Sequence, residues 1–348
     1  MKNILQSSPF ILVFFGIITT ANANPYIYSN SISAHNIATI QHKITQTVFN
    51  TGTKEIPTNI PQEQSVDPTK TYGRAPVYGT PSTYGEYNVF GRSGGEKPTP
   101  ALSDLWFSWQ NITDNVKFDN STPIDTKINL VTAGLMGDTY VNNKTTNTWG
   151  LYTGYIHTTQ EIPDFRIQSN GGYFGLYNGT TIRDFGIKFT LNGGLLDNSS
   201  NSPFVHENHT NFWIGGAINT SYAIRLDDSF MLRPALHIGY TWVKSDDFID
   251  VANSDFNFYE LTPAIDAIKH IGAGWYGSIG LKYVTIHSGG GTITFNNQDV
   301  PELDMGNFYE YGLTIYKSIS STQFSAHIGR HDGARYGWFG NINIKYLF

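Results

Sequence analysis

Apolar and polar positions alternate along residues 338–348, which read WFGNINIKYLF. Successive side chains of a β-strand point to opposite faces, so the pattern predicts a strand with an apolar face and a mostly polar face. The apolar face carries Trp338, Ile342, Ile344, Tyr346 and Phe348. In a soluble sheet the polar face would meet water, whereas in a transmembrane barrel the apolar face meets lipid and the polar face lines the lumen.

The same alternation recurs from residue 104 onward. In one segment, Phe185, Ile187, Phe189 and Leu191 alternate with polar or small residues. The pattern predicts strands near 104–112, 127–141, 147–157, 166–178, 182–194, 210–225, 230–244, 256–266, 273–287, 306–317, 322–331 and 336–348. Most of these reach the roughly 9–11 residues that a tilted transmembrane strand needs, and only a closed sheet pairs all backbone groups in lipid. We therefore predict an all-β fold, a transmembrane antiparallel up-and-down β-barrel of about twelve strands.

The connections between the predicted strands differ in length. Short ones are predicted at 142–146, 179–181, 226–229 and 318–321, and longer ones at 113–126, 195–209, 245–255 and 288–305. Outer-membrane barrels have short periplasmic turns and longer extracellular loops, so this alternation favours a membrane barrel over a soluble sandwich. An even number of strands also predicts that both ends of the barrel sequence lie on the periplasmic side.

Residues 1–23 have the pattern of a secretory signal peptide. Lys2 supplies a positive charge, residues 9–18 (PFILVFFGII) form an apolar core, and Ala21-Asn22-Ala23 matches a cleavage site. The apolar core is shorter than the roughly 20 residues that a membrane-spanning helix needs. The pattern therefore predicts export through the Sec machinery and removal of the segment.

Composition supports the barrel and excludes some other classes. Charged residues make up only 14% of the chain, aromatic residues also make up 14%, and there are 35 glycines. Soluble proteins contain about 25% charged residues, whereas aromatic girdles and turn residues are typical of barrels. The chain has no cysteine, which excludes a disulfide scaffold. The net charge of −6 gives no reason to expect a nucleic-acid partner.

Residues 24–103 form a different region, polar and rich in Pro and Gly. Ile37, Ile40, Ile44 and Val48 recur at helical spacing, which predicts one short helix near 33–49. A Tyr-Gly pair then recurs at positions 72, 78 and 84, most simply as part of an extended linker. The sequence leaves three interpretations of 24–103 open, namely a short passenger, a plug and a linker.

Several segments of 104–348 resemble the β-domain (translocator) of autotransporters, the type V secretion proteins of Gram-negative bacteria. They are Leu105-Trp106, INLVTAGLMGDTY (128–140), TWGLYTGYIH (148–157), GGYFGLYNGTTIRDFGIKF (171–189), LRPALHIGYTWVKSDDF (232–248) and Tyr346-Leu347-Phe348. The resemblance implies that Tyr346 and Phe348 act as an assembly signal read by the barrel-assembly machinery. Family members usually carry a large passenger and a linker helix directly before the barrel. Here the preceding stretch 85–100 contains too much Gly and Pro for a helix.

Candidate lumen-facing residues follow from the alternation. They are Asp184, Lys188, Arg233, Glu310 and Lys345, and we expect them to set the electrostatics of the lumen. Two polar clusters are interpreted as charged loops rather than as sites. The first is His206, Glu207 and His209, and the second is His327, Arg330, His331, Asp332 and Arg335. We assign no catalytic, cofactor-binding or metal-binding residue, and the chain has neither a G-x-S-x-G motif nor a thiol nucleophile.

The expected protein is an outer-membrane β-barrel of a Gram-negative bacterium that anchors, and translocates or displays, its N-terminal segment at the cell surface. The alternatives are a channel or adhesin with that segment as plug or tail and, more remotely, a barrel hydrolase. The expected partners are outer-membrane lipid, the barrel-assembly machinery and the Sec machinery, together with an unidentified host or surface ligand. No cofactor is expected.

Overall fold

A computed structural model describes residues 29–51, 101–118, 123–142, 145–203, 206–246, 251–252, 255–289, 292–295, 298–301 and 305–348. The predicted signal peptide (1–23), the Tyr-Gly pairs and the Gly/Pro-rich stretch 85–100 lie outside these residues. The described part begins with one helix, α1 (Ser29–Thr51). Among the described residues, no helix is long and apolar enough to cross a membrane.

The rest of the described chain is β-structure. The strands are β1 (Ala101–Val116), β2 (Ile124–Asn142), β3 (Thr145–Ile162), β4 (Phe165–Ile182), β5 (Phe185–Asn201), β6 (His206–Tyr222), β7 (Ile224–Arg225), β8 (Phe230–Ser245), β9 (Val251–Ala252), β10 (Asp255–Gly272), β11 (Trp275–Ser288), β12 (Thr292–Phe295), β13 (Gln298–Pro301), β14 (Asn307–Ile319), β15 (Thr322–Gly333) and β16 (Arg335–Leu347). The short strands β9, β12 and β13 form a separate small sheet, and β7 pairs only with the start of β8.

The twelve long strands close into one antiparallel barrel. Each long strand pairs with the next long strand along the chain, and β8 pairs with β10 across the β9 connection. The ring closes where β1 pairs with β16, in a register that runs from Asp104 opposite Leu347 to Val116 opposite Arg335. The predicted fold class is therefore confirmed, because the sheet has no free edge among its long strands.

The strands are longer than predicted, and this removes two expected loops. At the outer end, where β1 ends and β16 begins, only 163–164 separate β3 from β4 and only Ala334 separates β15 from β16. The longer connections, such as 289–306, lie at this same end. At the inner end, where β1 begins and β16 ends, two-residue turns include 183–184 and 273–274. The alternation in loop length is therefore weaker than predicted, although it has the predicted direction.

One predicted turn was wrong. Residues 179–181 continue β4, where Gly179 pairs with Lys188, and the chain reverses instead at Arg183 and Asp184. Arg183 has a φ of 54°, the left-handed conformation typical of such turns. The backbone groups of Asn178 and Gly179 are instead taken up by the ladder to β5.

The outer surface of the barrel is apolar, as the alternation predicts. In β16, Ile342, Ile344 and Tyr346 are 47%, 39% and 46% exposed, whereas Asn343 and Lys345 are 9% and 4% exposed. Every long strand for which side chains are described has the same division between an exposed apolar face and an enclosed, more polar face. This is the inverse of a soluble protein and matches a wall with lipid outside.

Helix α1 fills the lumen. Its isoleucines are at most 2% exposed, and so are polar residues on its other sides, such as Thr39, His42 and Lys43. A helix buried on all its sides is enclosed by its surroundings rather than packed on one surface. The helix covers the positions for which the isoleucine spacing predicts one, and begins and ends slightly beyond them.

Candidate functional site

The centre of the lumen holds a buried carboxylate between two lysines. The carboxylate of Glu310 on β14 accepts hydrogen bonds from Lys43 on α1 and, at 2.6 Å, from Lys282 on β11. Lys43 also lies over the ring of Phe339, 3.9 Å from its centroid. Ionised groups inside a protein must be paired to offset lost hydration, so Lys43 and Glu310 bind the helix to the wall.

A second cluster lies near the outer end. The guanidinium of Arg335 donates two hydrogen bonds of 2.8 Å to the carboxylate of Asp114, a bidentate pair that joins β16 to β1. His331 Nδ1 is also 2.8 Å from Asp114. The remaining Nη1 of Arg335 donates to the hydroxyl of Thr39 on α1. The seam that closes the barrel therefore also contacts the helix.

A third cluster joins the helix to β8 and β10. His42 Nδ1 lies 2.5 Å from Glu260 Oε1, and His237 Nε2 lies 3.2 Å from the same oxygen. Thr262 donates a 2.9 Å hydrogen bond to that oxygen. All three titratable residues are at most 8% exposed. Two imidazoles and a carboxylate that converge on one point are chemically able to share a proton or to hold a cation.

Hydrogen bonds to the wall fix the two ends of the helix. Towards the outer end, Asn36 donates a 2.9 Å hydrogen bond to Thr158, and Asn211 donates one of 3.3 Å to Ser33. Towards the inner end, Lys188 Nζ donates a 3.1 Å hydrogen bond to the carbonyl of Phe49. The last carbonyls of a helix lack partners within the helix and carry partial negative charge, so a lysine there is favourable. The helix therefore runs from the outer end at Ser29 to the inner end at Thr51.

The opposite part of the wall is filled by aromatic side chains. Trp106, Tyr152, Tyr173, Tyr177 and Trp213 are all buried and form a chain of ring contacts with centroids 6.2–6.5 Å apart. The hydroxyls of Tyr152 and Tyr173 each contact a threonine two strands away, as in the 2.6 Å contact between Tyr152 on β3 and Thr190 on β5. A Cβ added at Gly175 would overlap the ring of Tyr152. These rings narrow the lumen without help from the helix.

A polar cavity of about 90 Å³ remains beneath the C-terminal part of the helix. Its lining includes Lys188, Arg233, His237, Asp266 and Asn343. Arg233 and Asp266 pair at 2.9 Å across β8 and β10. The space is large enough for a few water molecules.

Four of the five residues predicted to face the lumen do so. Lys188 and Glu310 contact the helix, Arg233 lines the cavity, and Lys345 pairs at 2.9 Å with Asp104. Asp184 does not, because it lies in the turn between β4 and β5. There it pairs at 3.3 Å with Arg225, and both side chains are more than a third exposed. The alternation that places Lys188 inward does not continue through that turn.

Tyr346 and Phe348 both face outward. Tyr346 is 46% and Phe348 63% exposed, and their rings meet edge to face with centroids 5.4 Å apart. They lie at the inner end of the barrel, at its lipid-facing surface. Their role as an assembly signal stays a prediction.

Both polar clusters that were interpreted as loops lie in strands. His206, Glu207 and His209 begin β6, where the backbone alternation separates exposed His206 from buried His209. In the second cluster, His331 and Arg335 are buried in the lumen, whereas Asp332 is exposed. The interpretation as a charged loop tip was therefore wrong for His331 and Arg335, because the hairpin has only Ala334 between its strands.

Sequence reasoning missed most of the lumen clusters. The residues that it did not single out are His42, Lys43, Asp114, His237, Glu260 and Lys282, whereas His331 and Arg335 were assigned to a loop. A signal was available for some of them, since His237 stands on the face of β8 that also carries Arg233. No local signal pairs them, because Lys43 and Glu310 are 267 residues apart in sequence.

Comparison with known proteins identifies the class. Residues 106–258 match the family model described as autotransporter beta-domain. The beta domain of the Bordetella autotransporter BrkA superposes with a TM-score of 0.59 and 11% identity, over 71% of this chain and 99% of BrkA's. The transport unit of AIDA-I from Escherichia coli gives 0.58 and 13%, over 74% and 92%. The translocator domain of NalP from Neisseria meningitidis gives 0.52 and 10%, over 71% and 89%. No curated protein sequence matches the chain.

The chain thus carries an outer-membrane β-barrel, with an apolar wall towards lipid and a filled polar lumen. Within that class, residues 106–258 match the autotransporter beta-domain family model, and the location of the barrel is the bacterial outer membrane. At identities of 10–13% the solved structures support the fold, and the family match supports the type. The predicted resemblance is confirmed.

Proposed function

We propose that the barrel anchors the protein in the outer membrane and holds α1 across its lumen, with Ser29 towards the cell surface and Thr51 towards the periplasm. The observation that carries this proposal is the burial of the helix on all sides. The direction in which the helix crosses the lumen follows from the contacts of Ser33 near the outer end and of Phe49 near the inner end. The chain on the N-terminal side of Ser29 would then be displayed, while 52–100 would return to β1 on the periplasmic side.

The mechanism of this proposal is passive. The wall supplies a polar route through lipid, and the helix occupies that route once it is bound by Glu310, Arg335 and Lys188. No step of it requires a catalytic residue, so we propose no enzymatic activity. The domain boundaries that fit it are a signal peptide at 1–23, an N-terminal segment at 24–103 and the barrel at 104–348.

Protease treatment of intact cells tests which end of the helix lies at the cell surface. One variant carries an epitope tag between residues 28 and 29, and a matched variant carries the same tag near residue 60. We expect loss of the first tag and protection of the second until the outer membrane is permeabilised. Protection of the first tag with loss of the second would reverse the proposed direction, and protection of both would exclude display.

The proposed partners concern assembly and export. We propose that the Sec machinery exports the chain and that the barrel-assembly machinery recognises Tyr346 and Phe348, whose outward rings would be accessible to it. Deleting Phe348 should lower the amount of heat-modifiable folded barrel in the outer membrane. Replacing Ile319, another exposed apolar residue at the inner end, with alanine is the control. Equal yields from the two variants would contradict the recognition role.

A further inference from the structure

We propose that His42, His237 and Glu260 form a binding site for a divalent transition-metal ion, with Zn²⁺ as the best fit, which fastens helix α1 to the barrel wall. The residues come from three elements, α1, β8 and β10, and all three are buried. The site is separate from the question of which segment is displayed, because it rests only on these side chains.

The ligand atoms are close enough to share one ion. One atom from each residue lies within 4.8 Å of the other two, and Glu260 Oε1 is 2.5 Å from His42 Nδ1 and 3.2 Å from His237 Nε2. With bonds of about 2.0–2.1 Å, tetrahedral ligand atoms stand roughly 3.3 Å apart. The two Glu260 distances therefore need changes of less than about 1 Å, and the two imidazoles need to approach each other by up to about 1.5 Å, for an ion to fit.

Glu260 differs from its neighbours in its partners. Glu310 contacts two lysines, while Asp114 and Asp266 each contact an arginine. The contacts of Glu260, by contrast, are His42, His237 and the hydroxyl of Thr262. A buried carboxylate needs compensating positive charge. With neutral imidazoles, a bound cation would supply that charge directly.

The two imidazoles also have nitrogen atoms that the protein does not satisfy. Both ring nitrogens of His237 are buried and make no hydrogen bond with a described residue, although Nε2 approaches Glu260. The side chain is 1% exposed. Buried polar atoms without partners cost stability, so this ring is arranged as a ligand rather than as a structural donor.

Residues around the three ligands are placed as metal sites require. The carboxylate of Glu310 lies 3.5 Å from Nε2 of His42, on the side of the ring away from Glu260. Thr262 fixes the Glu260 carboxylate with a hydrogen bond. Such outer contacts orient the imidazole and carboxylate ligands of metal sites.

The donor set and the access route determine the class of ion. Two imidazole nitrogens and one carboxylate oxygen suit Zn²⁺ and related transition ions, whereas Ca²⁺ and Mg²⁺ prefer oxygen donors. His237 lines the cavity beneath the helix, which leaves room for an ion to enter and for a water molecule as fourth ligand. Because His42 belongs to the helix and the other two belong to the wall, a bound ion would resist withdrawal of the helix.

Calorimetric titration of Zn²⁺ into the chelator-treated full-length protein in detergent tests the site. We expect one bound ion per chain, a rise in Tm with Zn²⁺, and no comparable response to Mg²⁺. His42→Gln and His237→Gln should each weaken binding by at least about tenfold. His209→Gln is the matched control, because His209 is also a buried lumen histidine that contacts the helix, at Ser33; it should bind Zn²⁺ as the unaltered protein does.

Two results would overturn the proposal. One is the absence of Zn²⁺ binding by the unaltered protein. The other is binding that His42→Gln and His237→Gln leave unchanged, which would place the ion elsewhere. If His237→Gln does not give a heat-modifiable barrel, His42→Gln decides the matter, because it alters only the helix. Co²⁺ gives an independent readout, since a tetrahedral site yields visible absorption bands that should be lost in both variants.

Discussion

The two sides of the lumen wall are filled in different ways. Strands β2–β6, together with Trp106, present aromatic rings that pack on one another. Strands β8, β10, β11 and β14–β16, together with Asp114, present charged groups and histidines. On the aromatic side the rings contact one another, and Tyr152 bonds Thr190 and Asn192 within the wall. Lys188 on β5 and Asn211 on β6 also contact α1 from this side. On the charged side, Glu310 and Arg335 reach across to the helix.

This contrast separates two roles. Aromatic contacts are non-directional and make the barrel narrow and stiff, whereas buried ion pairs require one particular arrangement of partners. The ion pairs of the charged side thus restrict the position of the helix most strongly, because a wrong position would leave their charges unpaired. Substitutions on the charged side should therefore lower the free energy of unfolding more than substitutions on the aromatic side.

The largest effect is expected on the charged side. Glu310→Ala leaves Lys43 and Lys282 in the lumen without their carboxylate, and breaking a buried pair in this way costs about 3–5 kcal/mol. Unfolding of the detergent-folded protein in denaturant measures the change. Glu161→Ala is the matched control, because Glu161 pairs with Arg166 at an exposed position. Similar losses in the two variants would show that the lumen pair has no special importance.

An intermediate effect is expected on the aromatic side. Gly175→Val introduces a side chain where even a Cβ overlaps the ring of Tyr152, and overpacking costs about 1–3 kcal/mol. The same measurement applies. Gly172→Val on the same strand is the control, since a Cβ at Gly172 comes no closer than 3.5 Å to a neighbour. If Gly172→Val destabilises as much as Gly175→Val, then the strand rather than the ring contact sets the loss.

The smallest effect is expected outside both sides. Asp184→Asn removes a charge from the turn pair with Arg225, and exposed pairs contribute about 0–1 kcal/mol. We expect unfolding curves that nearly coincide with those of the unaltered protein. Asp114→Asn, which disturbs the buried bidentate pair with Arg335, is the contrasting variant and should destabilise clearly. A large loss from Asp184→Asn would show that this exposed pair contributes more than surface pairs usually do.

The fold was predictable because each strand has apolar residues on the face towards lipid and more polar residues on the face towards the lumen. Ile344 and Lys345 are neighbours in sequence, yet one meets lipid and the other Asp104. The same reasoning failed for Asp184. The alternation was extended to it, but Asp184 lies in a two-residue turn, where the backbone reverses and the alternation ends. The turn predicted at 179–181 was also wrong, because Gly179 continues β4 and pairs with Lys188 on β5.

The lumen clusters were beyond sequence reasoning for a different reason. The isoleucine spacing predicts a helix near 33–49, but says nothing of where that helix lies. The partners of Lys43 and His42 stand more than 200 residues away, so they become visible only when the ring is closed. Polar residues in the helix could not be interpreted until its surroundings were known.

The order of synthesis gives the contact between Thr39 and Arg335 a further meaning. The helix is made first, but this partner lies 296 residues later, on the final strand. Glu310 and His331 are also among the last residues to be made. A barrel that lacks its last hairpin would offer the helix neither Arg335 nor His331, and contacts between such distant residues form slowly. Addition of the last hairpin therefore completes the set of contacts that holds the helix in the lumen.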